Sequence, residues 1–129
     1  MSTQTGRCCC GGVTFAFDGP PSQATACHCT QCRRGSGHYW AAVHVPLASF
    51  QLTRSDTLKW RNSSEWAKRG FCAECGSSLF YQMTGEDSIN IGAGTLDSPT
   101  NTQIKRHIFV ADKGDYYELT DDMPKIEAY

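Results

Sequence analysis

The sequence has no long apolar run: nowhere do about eighteen apolar residues follow one another, as a membrane-spanning helix requires. Its first residues, MSTQTGRCCC, contain no apolar segment behind a basic one, so no secretion signal is predicted. Positive charge is not in excess either, because 12 Lys and Arg face 13 Asp and Glu. A chain of this balance has no field to attract nucleic acid or an anionic membrane. We therefore expect a cytoplasmic protein that binds neither.

Cysteine, in contrast, is abundant. The chain has 8 cysteines in 129 residues, a length typical of one domain. Cytosolic reductants keep thiols reduced, so in a cytoplasmic protein these cysteines are better explained by metal binding than by disulfides. We predict a single metal-binding domain over residues 1–129.

Short segments with two-residue apolar periodicity predict strands. They are VTFAF at 13, HYWAAVHV at 38, FQLT at 50, LKWRN at 58, SLFYQM at 78, SINIGAG at 88, HIFV at 107 and YYEL at 116. No window of three helical turns keeps apolar residues at helical spacing, although CTQCRRG allows one turn that ends at Gly35. The pattern predicts a mainly β domain.

The outer cysteines form two half-sites. Cys8 and Cys10 form a C-x-C before a glycine, and Cys72 and Cys75 form a C-x-x-C before another. Two such half-sites from distant parts of a chain can complete a tetrahedral zinc site, which would be structural. The alternative is that these are buried or redox cysteines, as C-x-x-C is in thioredoxin-like proteins.

The middle group, Cys27, Cys29 and Cys32, has no further cysteine pair to complete it. Three protein ligands and an open fourth position are typical of a catalytic zinc. The alternative is a second closed site, with a histidine or Cys9 as fourth ligand. We expect His28 to point away from its neighbours in extended backbone, and Cys9 to be a free thiol.

These motifs resemble the glutathione-dependent formaldehyde-activating family, which also includes centromere protein V. The resemblance runs through GRCCCGGVTF, CHCTQCRRGSG, GFCAECGSSLF, AGTLDSP and HIFVADKGDYYELTDDMP, and covers nearly the whole chain. It implies a β-tent fold of small coiled antiparallel sheets stapled by zinc. It also implies two zinc ions, a structural one on Cys8, Cys10, Cys72 and Cys75 and a second one on Cys27, Cys29 and Cys32.

Members of that family are associated with condensing glutathione and formaldehyde to S-hydroxymethylglutathione, and are grouped as carbon–sulfur lyases. The resemblance therefore implies a zinc-dependent lyase acting on a small-molecule thiol–aldehyde adduct, with glutathione as a candidate thiol co-substrate. A thiol-binding carrier without catalysis and a zinc-knuckle interaction module remain alternatives. The physiological substrate and the oligomeric state are left open.

A cation near the open zinc would offset the charge of its thiolates. Arg33 directly follows Cys32 and could do this or pair with a carboxylate of the thiol substrate. The alternative is a solvated surface arginine. His107 could carry a proton, although a packing role suits its place in a strand better.

Overall fold

A computed structural model describes residues 3–129, and residues 1 and 2 of the predicted domain lie outside this range. It contains one helix, α1, and ten strands, β1 to β10. In chain order these are β1 Thr3–Arg7, β2 Val13–Asp18, β3 Ala24–Cys27, α1 Thr30–Ser36, β4 Trp40–Pro46, β5 Phe50–Ser55, β6 Leu58–Asn62, β7 Ala67–Cys72, β8 Ser78–Met83, β9 Ser88–Gly92 and β10 Ile104–Ile108. Short 3₁₀ turns occupy Leu47–Ser49, Ala93–Thr95 and Val110–Asp112.

The strands form two sheets. A three-stranded sheet has the order β1-β2-β5, and a seven-stranded sheet has the order β10-β3-β4-β9-β8-β7-β6. The prediction of a mainly β fold is confirmed. Pairing is antiparallel except between β10 and β3, which run parallel, because the chain crosses over between these strands rather than turning back directly. Within residues 3–129 no helix has the length and apolar character needed to cross a membrane.

Most of the predicted strands are present. The segments at 13, 38, 50, 58, 78 and 88 each coincide with most of one strand, and HIFV overlaps the end of β10. The prediction of a strand at YYEL is wrong: this segment pairs with no strand, and Tyr117 packs on His28 instead. Three strands were not predicted: β1, β3 and β7. Their small and charged residues hide the alternation that identifies a strand.

The core joins the two sheets. Phe15 and Phe17 of β2 belong to the same buried cluster as Val43 of β4 and Ile91 of β9. The Phe15 ring meets the Phe80 ring edge-on, with centroids 5.4 Å apart. The chain also passes from one sheet to the other between β5 and β6, so the two sheets share both a core and a covalent connection.

Strand β1 approaches this core so closely that it has no room for a side chain at Gly6. A Cβ atom there would lie 2.3 Å from Cζ of Phe15 and 2.5 Å from the carbonyl oxygen of Thr95. The backbone atoms around Thr95 cannot yield as a flexible side chain would. Gly6 is therefore required by packing.

We predict that Gly6→Ala lowers the free energy of unfolding by about 1–3 kcal/mol, the usual cost of overpacking. Gly94→Ala is the matched control, because a Cβ at Gly94 meets nothing within 4 Å. Denaturant unfolding of both variants at equal metal content measures the difference. Equal unfolding midpoints for the two variants would contradict the close approach of β1 to the core.

Candidate metal centres

The sulfurs of Cys8, Cys10, Cys72 and Cys75 all lie within 4.8 Å of one another. The Cys8 and Cys10 sulfurs are 3.7 Å apart, and those of Cys10 and Cys72 are 3.6 Å apart. A tetrahedral zinc with Zn–S bonds of about 2.3 Å would place its sulfurs about 3.8 Å apart. A disulfide would need about 2.05 Å, so this four-cysteine cluster fits a metal and not a bridge.

Two similar turns present these sulfurs. After β1, the Val13 N–H donates to the Cys8 sulfur at 3.3 Å; after β7, the Cys75 N–H donates to the Cys72 sulfur at 3.3 Å. Gly11 and Gly76 close the two turns with φ of 82° and 80°, a conformation that favours glycine. Backbone N–H groups aimed at sulfur stabilise thiolates, which are the form that binds metal.

Two hydroxyl groups support the cluster further. The Thr57 hydroxyl lies 3.1 Å from the Cys72 sulfur, and the Ser77 hydroxyl lies 3.2 Å from the Cys75 sulfur. The first contact lowers the pKa of Cys72, and the second lowers the pKa of Cys75 to about 5. Sequence reasoning did not identify Thr57, which reaches Cys72 only because β6 pairs with β7.

Cys9 lies outside both metal-competent clusters. Its thiol is exposed, and its backbone N–H donates to the Ser77 hydroxyl at 3.0 Å. This placement agrees with the expectation of a free thiol between two ligands.

The sulfurs of Cys27, Cys29 and Cys32 form a second group, again within 4.8 Å of one another. This three-cysteine cluster arises where β3 ends and α1 begins. Cys29 is the N-cap residue of the helix, and its sulfur accepts the Cys32 N–H at 3.4 Å. Within residues 3–129, no histidine, carboxylate or other cysteine completes this cluster.

Helix α1 is longer than the single turn predicted. It ends at Gly37, with φ of 87°, and not at Gly35. The Gly37 N–H donates to the Arg33 carbonyl, which satisfies one of the free carbonyl groups at the helix end. Cys32 is buried against the sheet in this helix, whereas Cys27 and Cys29 are half-buried.

A cation does lie beside the three-cysteine cluster, and it is Arg69 of β7. Its Nη2 donates to the Cys32 sulfur at 3.6 Å, while Nε and Nη2 both donate to Oε1 of Gln31 at 3.2 and 3.1 Å. The guanidinium carbon lies 4.8 Å from the ring centroid of Tyr81, which faces Arg69 across the β7–β8 pair. Hydrogen bonds from Cys27 and Cys32, and the charge of Arg69 to a smaller extent, lower the pKa of Cys29.

The structure places Arg33 differently. Its Nε donates to the carbonyl oxygen of Asp112 at 3.1 Å, on the side of α1 toward the 3₁₀ turn Val110–Asp112. Arg69 was missed because it follows Cys32 by 37 residues, and only the folding of β7 against α1 brings the two together.

His28 lies outside the cluster although it stands between two of its cysteines. Its side chain is fully buried, and burial lowers its pKa to about 4. The imidazole contacts Tyr117 and His107 and not the sulfurs.

A surface cavity of about 500 Å³ lies next to the start of β4. Tyr39 and Trp40 line it together with Cys75 and Thr95, but the three-cysteine cluster does not. Trp40 borders both features, because it faces Cys27 across the β3–β4 pair. Tyr39 and Trp40 thus form part of the wall of this cavity.

The fold and the cysteines define the class of protein: it is a small β domain with two separate cysteine clusters that can hold metal ions. The chain belongs to the glutathione-dependent formaldehyde-activating enzyme family, whose model matches residues 3–112. Residues 113–129 lie beyond the matched region.

Two relatives illustrate the likeness. An uncharacterized lyase of Schizosaccharomyces pombe is 24% identical over 128 residues, covering 94% of this chain and 88% of the relative. A crystal structure of a Rhodobacter sphaeroides protein superposes with a TM-score of 0.62 at 24% identity, covering 73% of this chain and 88% of that one. The second likeness supports the fold alone.

The two clusters predict different responses to metal removal. The four-cysteine cluster joins Cys10 to Cys72 across 62 residues, whereas the three-cysteine cluster is local. We expect mild chelation to remove about one metal equivalent first, from the three-cysteine cluster.

Cys72→Ala should lower the free energy of unfolding by more than about 4 kcal/mol, and Cys29→Ala by clearly less. Metal analysis measures the release by the chelator, and thermal unfolding measures the loss of stability. Equal destabilisation by the two substitutions would contradict this difference between the two clusters.

Proposed function

We propose that this protein is a zinc-dependent carbon–sulfur lyase that forms or cleaves a thiol–aldehyde adduct, of which S-hydroxymethylglutathione is one. Cys27, Cys29 and Cys32 would hold the catalytic zinc, and the four-cysteine cluster would hold a structural zinc. One observation carries the proposal: three sulfurs lie within ligand distance, and residues 3–129 add no fourth ligand. Membership in the family supports the same class of reaction.

The reaction is an addition and its reverse. The thiol sulfur forms a bond to the carbonyl carbon, the π electrons of the carbonyl move to its oxygen, and the proton lost by the thiol ends on that oxygen. Zinc with three thiolate ligands and a free position would supply a lowered pKa to a thiol bound there. The balance needs no oxidant or reductant.

Charge explains why a cation belongs at this site. Zinc with three thiolates carries a formal charge of −1, and a fourth thiolate would make it −2. Arg69 supplies the opposite charge beside Cys32, and Gln31 and Tyr81 hold its guanidinium in place. A fixed cation of this kind favours the thiolate form of a substrate over the thiol.

Arg33 has a different role in this proposal: it binds a carboxylate of the thiol substrate. It lies one residue after Cys32 and is half-buried, and its Nε is already held by Asp112. Within the described residues its two Nη groups donate to no protein acceptor, so they can form a paired contact with a carboxylate.

We expect zinc-loaded protein to accelerate both formation and breakdown of S-hydroxymethylglutathione, or of a related adduct in a panel of thiols and aldehydes. Cys29→Ser should reduce the rate to background while keeping the metal of the four-cysteine cluster. Proton NMR of the adduct measures the exchange directly. Binding of glutathione by calorimetry without any change in rate would contradict the lyase and favour a carrier.

Arg69→Gln tests the charge argument. Losing the cation should raise the pKa of the bound thiol by about one unit, and so lower the rate near neutral pH on the order of tenfold. The pH–rate profile should therefore move to higher pH, and Arg69→Lys should restore part of the shift. Arg61→Gln is the matched control, because Arg61 is exposed on β6 directly opposite Arg69. An unmoved profile in Arg69→Gln would refute this role.

A further inference from the structure

A continuous chain of hydrogen bonds runs behind the three-cysteine cluster. The Tyr117 hydroxyl contacts Nδ1 of His28; Nε2 of His28 lies 2.9 Å from Nδ1 of His107; and Nε2 of His107 lies 2.9 Å from Oδ2 of Asp121. Both imidazoles are buried, with 0% and 3% of their surface exposed. This hydrogen-bond chain connects the β3–α1 turn to β10 and to the C-terminal segment, residues 113–129.

The direction of donation along this chain follows from its acidic end. The hydrogen bond from His107 lowers the pKa of Asp121 to about 2, so Asp121 is a carboxylate and can only accept. A neutral imidazole that donates from Nε2 of His107 to this carboxylate accepts at its Nδ1. His28 therefore donates from Nε2 and accepts the Tyr117 hydroxyl at Nδ1. In this arrangement every donor meets an acceptor.

This arrangement leaves His28 no free nitrogen. A neutral imidazole is among the commonest zinc ligands, and His28 stands between Cys27 and Cys29 in the chain. Both of its ring nitrogens are occupied, by Tyr117 on one side and His107 on the other. Its backbone N–H also donates to the carbonyl of Ile108 at 3.0 Å, so side chain and backbone are both anchored to the neighbouring elements.

Asp121, at the far end of the hydrogen-bond chain, is itself held in place. Oδ1 of Asp121 accepts the Met123 N–H at 3.0 Å and the Lys125 ammonium at 3.2 Å. The backbone N–H of His107 donates to the carbonyl of Pro124 at 2.9 Å, which ties the segment that follows Asp121 to β10. Tyr117 packs against the His28 ring with centroids 5.4 Å apart. Tyr117 and Asp121 both lie beyond the residues that the family model matches.

We propose that the hydrogen-bond chain from Tyr117 through His28 and His107 to Asp121 is a positioning device for the three-cysteine site. It keeps His28 from becoming the fourth ligand, and it fixes the backbone that carries Cys27 and Cys29. Tyr117 and Asp121 are positioning residues: their hydrogen bonds in this chain go to the imidazoles of His28 and His107 and not to the three sulfurs. The proposal concerns the ligand set and metal retention, so it stands independently of any catalysed reaction.

Asp121→Asn and Tyr117→Phe test it from opposite ends of the chain. We expect each variant to lose metal from the three-cysteine site about tenfold faster to a chelator, which is the lower end of the effect of removing a hydrogen-bond partner of a metal ligand, because these residues act on the ligands through His28. Release from the four-cysteine site should be unchanged. Asp122→Asn and Tyr116→Phe are matched controls on exposed neighbours, and both should behave like the unmodified protein. Equal acceleration at both metal sites, or at neither, would overturn the proposal.

Spectroscopy separates a positioning role from simple packing. In the unmodified protein, nitrogen-15 NMR should show His28 protonated at Nε2, and cobalt bound at Cys27, Cys29 and Cys32 should show three sulfur ligands without histidine. With cadmium in that site, no coupling to a His28 nitrogen is expected, whereas Asp121→Asn or Tyr117→Phe should allow such coupling in part of the molecules. Coupling to His28 in the unmodified protein, or an Nδ1-protonated tautomer, would refute the proposal even if a variant failed to fold.

Discussion

The meeting of four cysteine sulfurs from two distant turns is the constraint on which the rest of the structure depends. Cys8 follows a strand of the three-stranded sheet, and Cys72 ends a strand of the seven-stranded sheet. Both are fully buried and belong to the same core cluster as Phe15 and Phe80. Closing a loop of 62 residues between Cys10 and Cys72 restricts the unfolded chain strongly. A metal bound at this point would therefore hold the two sheets in register.

The same constraint reaches the second cluster through β7. This strand ends at Cys72 in one cluster and carries Arg69 toward Cys32 in the other. Whatever holds the end of β7 therefore also sets the position of the cation beside the three-cysteine cluster. The two clusters differ in their number of sulfurs, four in one and three in the other, and β7 contributes a residue to the surroundings of both.

The three-cysteine cluster is supported on two sides by elements far apart in the chain. Arg69 lies on one side and faces the sulfurs; the imidazole of His28 lies on the other and faces away, held by Tyr117 and by His107. The first partner would balance charge and the second would withhold a ligand. Together they place a cation on one side of the three sulfurs and hold an imidazole away from them on the other.

Cysteine spacing predicted which sulfurs lie together on one turn, because ligands two or three residues apart can point at the same place, whereas the meeting of the Cys8 and Cys72 turns is a tertiary contact. Alternation likewise predicted most strands, since side chains of a strand face the core at every second position. Neither signal exists for Arg69, Thr57 or Asp121, whose partners lie 37, 15 and 14 residues away in the chain. Strand β7 went unpredicted for a related reason: its Lys68 and Arg69 break the alternation while pairing with β6 and β8 satisfies the backbone. Local pattern indicated which cysteines cluster within each turn, and only tertiary contacts decided the charges and hydrogen bonds around them, because these act through space between residues that no local pattern connects.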